Sequence, residues 1–151
     1  SKFGLLETVY NVLYRGVEND LINYCDLENI DIISYSPLGA GFITGKYKNG
    51  LVSPKKTRFD IKPSHKDIYF NDVFFETMNQ LEKLSNETNL SLIDLALSWV
   101  LSRNFLSSIL IGVREISHIM KPINILENPI NGTILNEINE ITKNNLDLID
   151  P

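Results

Sequence analysis

The chain has 151 residues, 43% of them apolar and 22% charged, with a formal net charge of −5. That length suits one domain with a buried core, and an acidic balance without a basic patch argues against non-specific nucleic-acid binding. Cys25 is the single cysteine, which rules out an internal disulfide or a cysteine-only metal site and fits a reducing, cytoplasmic setting.

Leu5–Leu13 (LLETVYNVL) reads as a short strand, rich in β-branched and aromatic residues. Val17–Glu28 follows as a helix with Leu21, Ile22 and Cys25 on its apolar stripe. Ile30–Tyr35 is the next strand, so strand–helix–strand with short connections predicts a parallel pair. Residues 50–67 are polar, with prolines and lysines and no sustained apolar period, and are expected to form a long surface loop. Val73–Asn86 carries a helical stripe through Phe74, Phe75, Met78, Leu81 and Leu84. Asn89 or Ser91 caps the following helix, Leu92–Leu101, and the Ser91–Asp94 spacing resembles a capping box.

Ser107–Ile111 is a third strand, ended by Gly112. Glu115–Leu126 reads as a helix that Pro122 should kink or end. Leu135–Leu148 is the last amphipathic helix, with Thr133 as its cap. Strands alternating with helices suit a parallel sheet or a (β/α) barrel. Three strands are too few to close a barrel and leave sheet edges exposed. Together with a strand that opens almost at residue 1, this leads us to expect either a very tight start or missing upstream sequence. No run reaches membrane-spanning length, and no signal-peptide pattern opens the chain.

Asp31–Tyr47 (DIISYSPLGAGFITGKY) is the most informative stretch. An apolar strand breaks at Ser36-Pro37 and passes Gly39, Gly41 and Gly45 to reach Lys46. Glycines let backbone N–H groups approach an anion, and a lysine adds charge. The same residues also make ordinary turns. His65 and His118 stand apart, with no adjoining cysteine, so a zinc site is not supported. Neither a Gly-x-Gly-x-x-Gly nor a Walker A pattern occurs.

Four segments in register resemble the C-terminal half of the aldo-keto reductase superfamily. YSPLGAGFITGKY at 35–47 looks like the family's YSPLxxGxLTGKY segment. Tyr10-Asn11 with Arg15 is similar to its YNLLxR segment. SLIDLALSWVLSR at 91–103 matches an outer helix, and SSILIGVREISHI at 107–119 resembles the last strand and the segment holding the adenosine end of NADP(H). The form is closest to the general-stress and potassium-channel β-subunit branch. The fold implied is α/β, the C-terminal half of a (β/α)₈ TIM barrel over residues 1–151, with three parallel strands and flanking helices.

The resemblance implies NADP(H) as cofactor and assigns residues to it. Tyr35 would stack on the nicotinamide ring. Ser36, Leu38, Gly41 and Lys46 would hold the pyrophosphate, and Glu7 stands where a glutamine usually meets the carboxamide. Arg114 would take the 2′-phosphate, and His118 would lie beside the adenine. Lys121 and Pro122 replace the last adenine contacts, with Lys121 a substitute phosphate partner. The family's catalytic aspartate, tyrosine, lysine and histidine come from upstream segments, so no catalytic residue is assigned. The function expected is therefore that of a parent NADP(H)-dependent oxidoreductase reducing small aldehydes or ketones. This chain would supply part of its cofactor site and be inactive alone. A non-catalytic NADP(H)-sensing subunit or a truncated fragment are the alternatives. The partners expected are a small carbonyl substrate and either a homo-oligomer or a missing N-terminal half, with no nucleic acid and no membrane insertion.

Overall fold

Three parallel strands, in the order β1-β2-β3, form the sheet of the computed structural model, which describes residues 3–47 and 55–147. In chain order, β1 (Leu5–Val9) leads through a turn at Gly16–Glu18 to α1 (Leu21–Glu28) and β2 (Asp31–Tyr35). Helical turns at Gly39–Thr44 follow, then α2 (Arg58–Ile61), a turn at Pro63–His65 and α3 (Lys66–Tyr69). The second half comprises α4 (Asp72–Thr88), α5 (Leu92–Leu101), β3 (Leu106–Ile109), α6 (Ser117–Glu127), α7 (Gly132–Ile141) and a turn at Lys143–Asp147. Sheet and helices are thus distributed over the whole described chain. A partial barrel-like architecture runs across its length and is not confined to one half of a barrel.

The strand register runs from Leu5 opposite Asp31 to Val9 opposite Tyr35. β3 pairs with β2 through a register shift that leaves Ser107 between Leu106, opposite Ile32, and Ser108, opposite Ile33. Ser107 donates its hydroxyl to the Ile32 carbonyl at 3.0 Å. Burial alternates along β2, with Ile32 and Ser34 buried and Asp31 and Tyr35 exposed, as the period of two requires.

β1 is shorter than its apolar run. The Asn11 Oδ1 accepts from the backbone N–H groups of Leu13 and Tyr14 at 2.9 and 3.1 Å, a local turn that competes with the ladder. The expected helix from Val17 divides into the Gly16–Glu18 turn and α1. β3 begins one residue earlier than expected and stops at Ile109. α6 continues through Pro122, which is buried. α7 stops at Ile141, and its cap is Asn131, which accepts from Thr133 N at 2.8 Å. In the stretch expected as a loop, 50–54 lie outside the described residues, while 58–69 hold short helical turns.

The core is strongly aromatic. Trp99 is fully buried between helices and stacks on Tyr10, with ring centroids 5.2 Å apart. A second cluster gathers Phe42, Tyr47, Phe59, Tyr69, Phe70 and Phe75, with Phe59 fully buried and 4.7 Å from Tyr47. Such pairs add about 0.5–1.5 kcal/mol each beyond their area.

Candidate functional site: the loop after the middle strand

β2 delivers Tyr35 to the C-terminal edge of the sheet, where its side chain is 40% exposed. The next residue, Ser36, takes a left-handed backbone at φ 55°, unusual for a residue with a Cβ. Two contacts hold it there. The Ser36 carbonyl accepts from Asn11 Nδ2 at 2.9 Å and from Gly39 N at 2.9 Å. Asn11 is fully buried and therefore clamps the loop onto the end of β1. It is a positioning residue absent from the predicted site, although it lies inside the Tyr10-Asn11 segment already singled out.

The loop then turns through Gly39, Ala40 and Gly41, all at positive φ. Much of its backbone is satisfied internally. Gly41 N and Ile43 N donate to the Leu38 carbonyl at 2.9 and 3.3 Å, Gly45 N donates to Phe42 O at 3.3 Å, and Thr44 Oγ1 donates to Gly41 O at 2.7 Å. These N–H groups face the loop's own carbonyls rather than an anion. The free charge is on Lys46, which is exposed and makes no ion pair among the described residues. Its Nζ lies 3.2 Å from where a Cβ on Gly41 would stand, and 5.3 Å from the Tyr47 ring centroid. Gly41 thus keeps open the space the ammonium uses. Leu38 packs, half-buried, against the core.

Glu7 is exposed on β1, two residues before Val9, the partner of Tyr35, so Glu7 and Tyr35 share one face of the sheet. β3 leaves the sheet beside this edge, with Leu110 N donating to Ser34 O at 2.7 Å. Arg114 and His118 follow, both exposed, and the Arg114 N–H donates to His118 Nδ1 at 3.2 Å. Lys121 is not free for a phosphate, because it pairs with Asp94 at 2.6 Å. Burial opposes the Asp94 charge, but Lys121 and Ser91 outweigh it and hold the carboxyl below its ordinary range.

Of two cavities of about 410 and 360 Å³, one lies between α5, α6 and β3, and the other lies behind the loop, beside Phe42, Gly45, Phe75 and Met78. Neither is lined by Tyr35, Lys46, Arg114 or His118, all four of which are exposed. Among the described residues no group of three metal-ligating side chains converges, and no helix is long and apolar enough to cross a membrane.

The aldo/keto reductase family profile matches residues 1–143. The chain belongs to the aldo/keto reductase family. Similar curated proteins include the aldo-keto reductase pigE of Monascus ruber, 27% identical over 66% of this chain and 31% of that protein. The L-glyceraldehyde 3-phosphate reductase of Escherichia coli K12 is 25% identical over 79% of this chain and 35% of its own length. A probable voltage-gated potassium channel subunit beta of rice is 27% identical over 78% of this chain and 37% of its own. The glycerol dehydrogenase AKR11B4 of Gluconobacter oxydans shares the fold, with a TM-score of 0.68 at 21% identity over 97% of this chain and 45% of that one. The chain spans about a third of the length of these curated relatives.

These matches correct three expectations. The likeness was expected to mark a C-terminal half. The family match instead takes in residues 1–143 and the structural match 97% of the chain, so the aldo/keto reductase fold extends along this whole chain. The chain was expected to be only a cofactor-clamping piece of a larger parent. It was also expected to be inactive alone. The family match over residues 1–143 and the fold match over 97% of the chain stand against both.

Proposed function

We propose that the chain is an oxidoreductase that binds NADP(H) at the Tyr35–Lys46 loop and acts on small aldehydes or ketones. One observation carries this reading: a half-exposed tyrosine at the end of the middle parallel strand, followed by a loop that opens at Gly41 beneath a lysine ammonium with no ion pair among the described residues. When bound, the nicotinamide supplies or accepts a hydride. Tyr35 offers a flat ring face to hold it in one orientation. Lys46 supplies a positive charge to the pyrophosphate, in place of the loop N–H groups that turn inward. Glu7 shares the sheet face with Tyr35 and accepts from the carboxamide N–H₂. The Arg114 guanidinium fork suits a 2′-phosphate, which favours NADP(H) over NAD(H). The relative named as an L-glyceraldehyde 3-phosphate reductase supports the choice of an aldehyde substrate. We further propose a cytoplasmic setting, where the buried Cys25 stays reduced.

Fluorescence titration with NADPH and NADH tests the cofactor claim. Tyr35→Ala should weaken both, while Arg114→Ala should weaken NADPH alone by about tenfold, the scale of one charge-assisted hydrogen bond. Equal affinities that ignore Arg114 would overturn the 2′-phosphate assignment. NADPH consumption on adding a small aldehyde tests the oxidoreductase claim, and a chain that binds NADPH without turnover would overturn it.

A further inference from the structure

Resting on the NADP(H) reading, we infer that His118 is not an adenine contact but a positioning residue, which sets the 2′-phosphate preference by holding the Arg114 backbone in place. The sheet's last hold on this segment is the bond from Leu110 N to Ser34 O at 2.7 Å. From there to the first turn of α6 every residue is exposed, and a Cβ on Gly112 would meet nothing within 4 Å. A guanidinium carried by so open a segment has no fixed position unless the backbone beneath it is tied.

Two side-chain bonds tie 112–118 among the described residues. Ser117 Oγ donates to Glu115 Oε2 at 3.4 Å, a long contact. The His118 Nδ1 accepts from the Arg114 N–H at 3.2 Å, and it alone touches the residue that carries the charge. For Nδ1 to accept, the imidazole must carry its proton on Nε2. The backbone completes the arrangement. His118 N donates to Glu115 O at 3.1 Å, so residues 114–118 close into a single turn at the start of α6. Arg114 is then held at its own amide, four residues before His118, and the helix carries the imidazole.

The chain with His118→Ala and with His118→Asn tests this. An asparagine Oδ1 occupies nearly the place of Nδ1 and accepts the same N–H, whereas alanine cannot. Amide exchange by NMR reads the tether without any cofactor. The Arg114 amide should be protected in the wild type and in His118→Asn, and should exchange several-fold faster in His118→Ala. Titration with 2′,5′-ADP and 5′-AMP, then NADPH and NADH, reads the consequence. His118→Ala should cut the preference for the 2′-phosphorylated member of each pair about fivefold, with the affinity for 5′-AMP unchanged and the preference restored in His118→Asn. A loss of 5′-AMP binding in both variants would make His118 a direct adenine contact and overturn the proposal. So would an Arg114 amide indifferent to residue 118. If the wild type binds neither dinucleotide while the amide remains tethered, the NADP(H) reading fails, and the selectivity role assigned to His118 fails with it.

Discussion

Arg15 is 5% exposed, and its guanidinium uses each of its faces. The Nε and Nη2 donate to the two Glu18 oxygens at 2.7 and 2.9 Å, and Nη1 donates to Thr142 Oγ1 at 2.7 Å and to the Asn139 carbonyl at 3.2 Å. Its carbon lies 5.1 Å from the Trp99 ring centroid, and Trp99 Nε1 donates to Asn139 Oδ1 at 2.7 Å. Tyr10 donates its hydroxyl to Glu18 at 2.7 Å, and burial, reinforced by that carboxylate, pushes its pKa far above the usual tyrosine value. Burial works against the Glu18 charge, but the Arg15 fork and the Tyr10 hydroxyl outweigh it and keep the carboxyl below its ordinary 4.5. Arg15→Met leaves that carboxylate without its fork and should cost about 3 kcal/mol in urea unfolding. Glu18→Gln in the same background should recover part of the loss. The sign with pH follows from the lowered value. The unfolded carboxyl binds its proton first, so stability is full above pH 4.5 and falls as pH drops through the folded value. The wild type should therefore lose stability in acid more steeply than Glu18→Gln. At the loop, Gly41→Ala must adopt φ 91° and meet Lys46 Nζ at 3.2 Å. It should cost about 1–2 kcal/mol and weaken dinucleotide binding by displacing the ammonium.

Capping decides where the outer helices start. Asn71 accepts from Phe74 N at 2.9 Å, and Ser91 with Asp94 forms a reciprocal capping box. Asp94 also reaches Lys121 on α6, so the box ties two helices as well as starting one. Ser91→Ala should cost about 1 kcal/mol, read as a lower midpoint in urea with an unchanged slope. α4 was legible in the sequence within two residues from its stripe, and α5 from stripe and cap together. The end of β1 was not, since residues 10–13 keep strand-like composition while the Asn11 side chain takes the backbone donors for a turn. Nor was the passage of α6 through Pro122. A proline costs a helix one hydrogen bond, and packing against α5 and the Lys121 pair offset that here. The loop after β2 could be picked out from its glycines and lysine. The direction of its N–H groups could not, because that depends on which carbonyls the turns bring near.

At the scale of the molecule, order-preserving segments such as 35–47 and 91–103 revealed the family, while the extent of the likeness needed the whole chain to be aligned. The aromatic cluster joins the two scales. Phe42 belongs to the loop after β2, yet its ring lies 6.4 Å from Phe59, 5.9 Å from Tyr69, 5.5 Å from Phe70 and 5.2 Å from Phe75. These residues come from α2, α3, the residue after α3, and α4. Short helices of four residues have little stability of their own, so α2 and α3 owe their shape to this cluster and in turn form a wall of the loop. Phe59 is the fully buried centre. Phe59→Ala should cost about 3–5 kcal/mol from lost contacts and the cavity left behind, and should release 58–70 before α4 and α5. Hydrogen exchange is expected to show protection lost in 42–47 and 58–70 together, with 92–101 unaffected at low denaturant. NADPH affinity should fall in the same variant although Phe59 is not among the residues assigned to the dinucleotide. Phe59→Leu, which refills most of the volume, should restore both. If Phe59→Ala unfolds 58–70 while 42–47 keep their protection and their affinity, the loop stands on Asn11 and the strand alone, and the cluster is only filling.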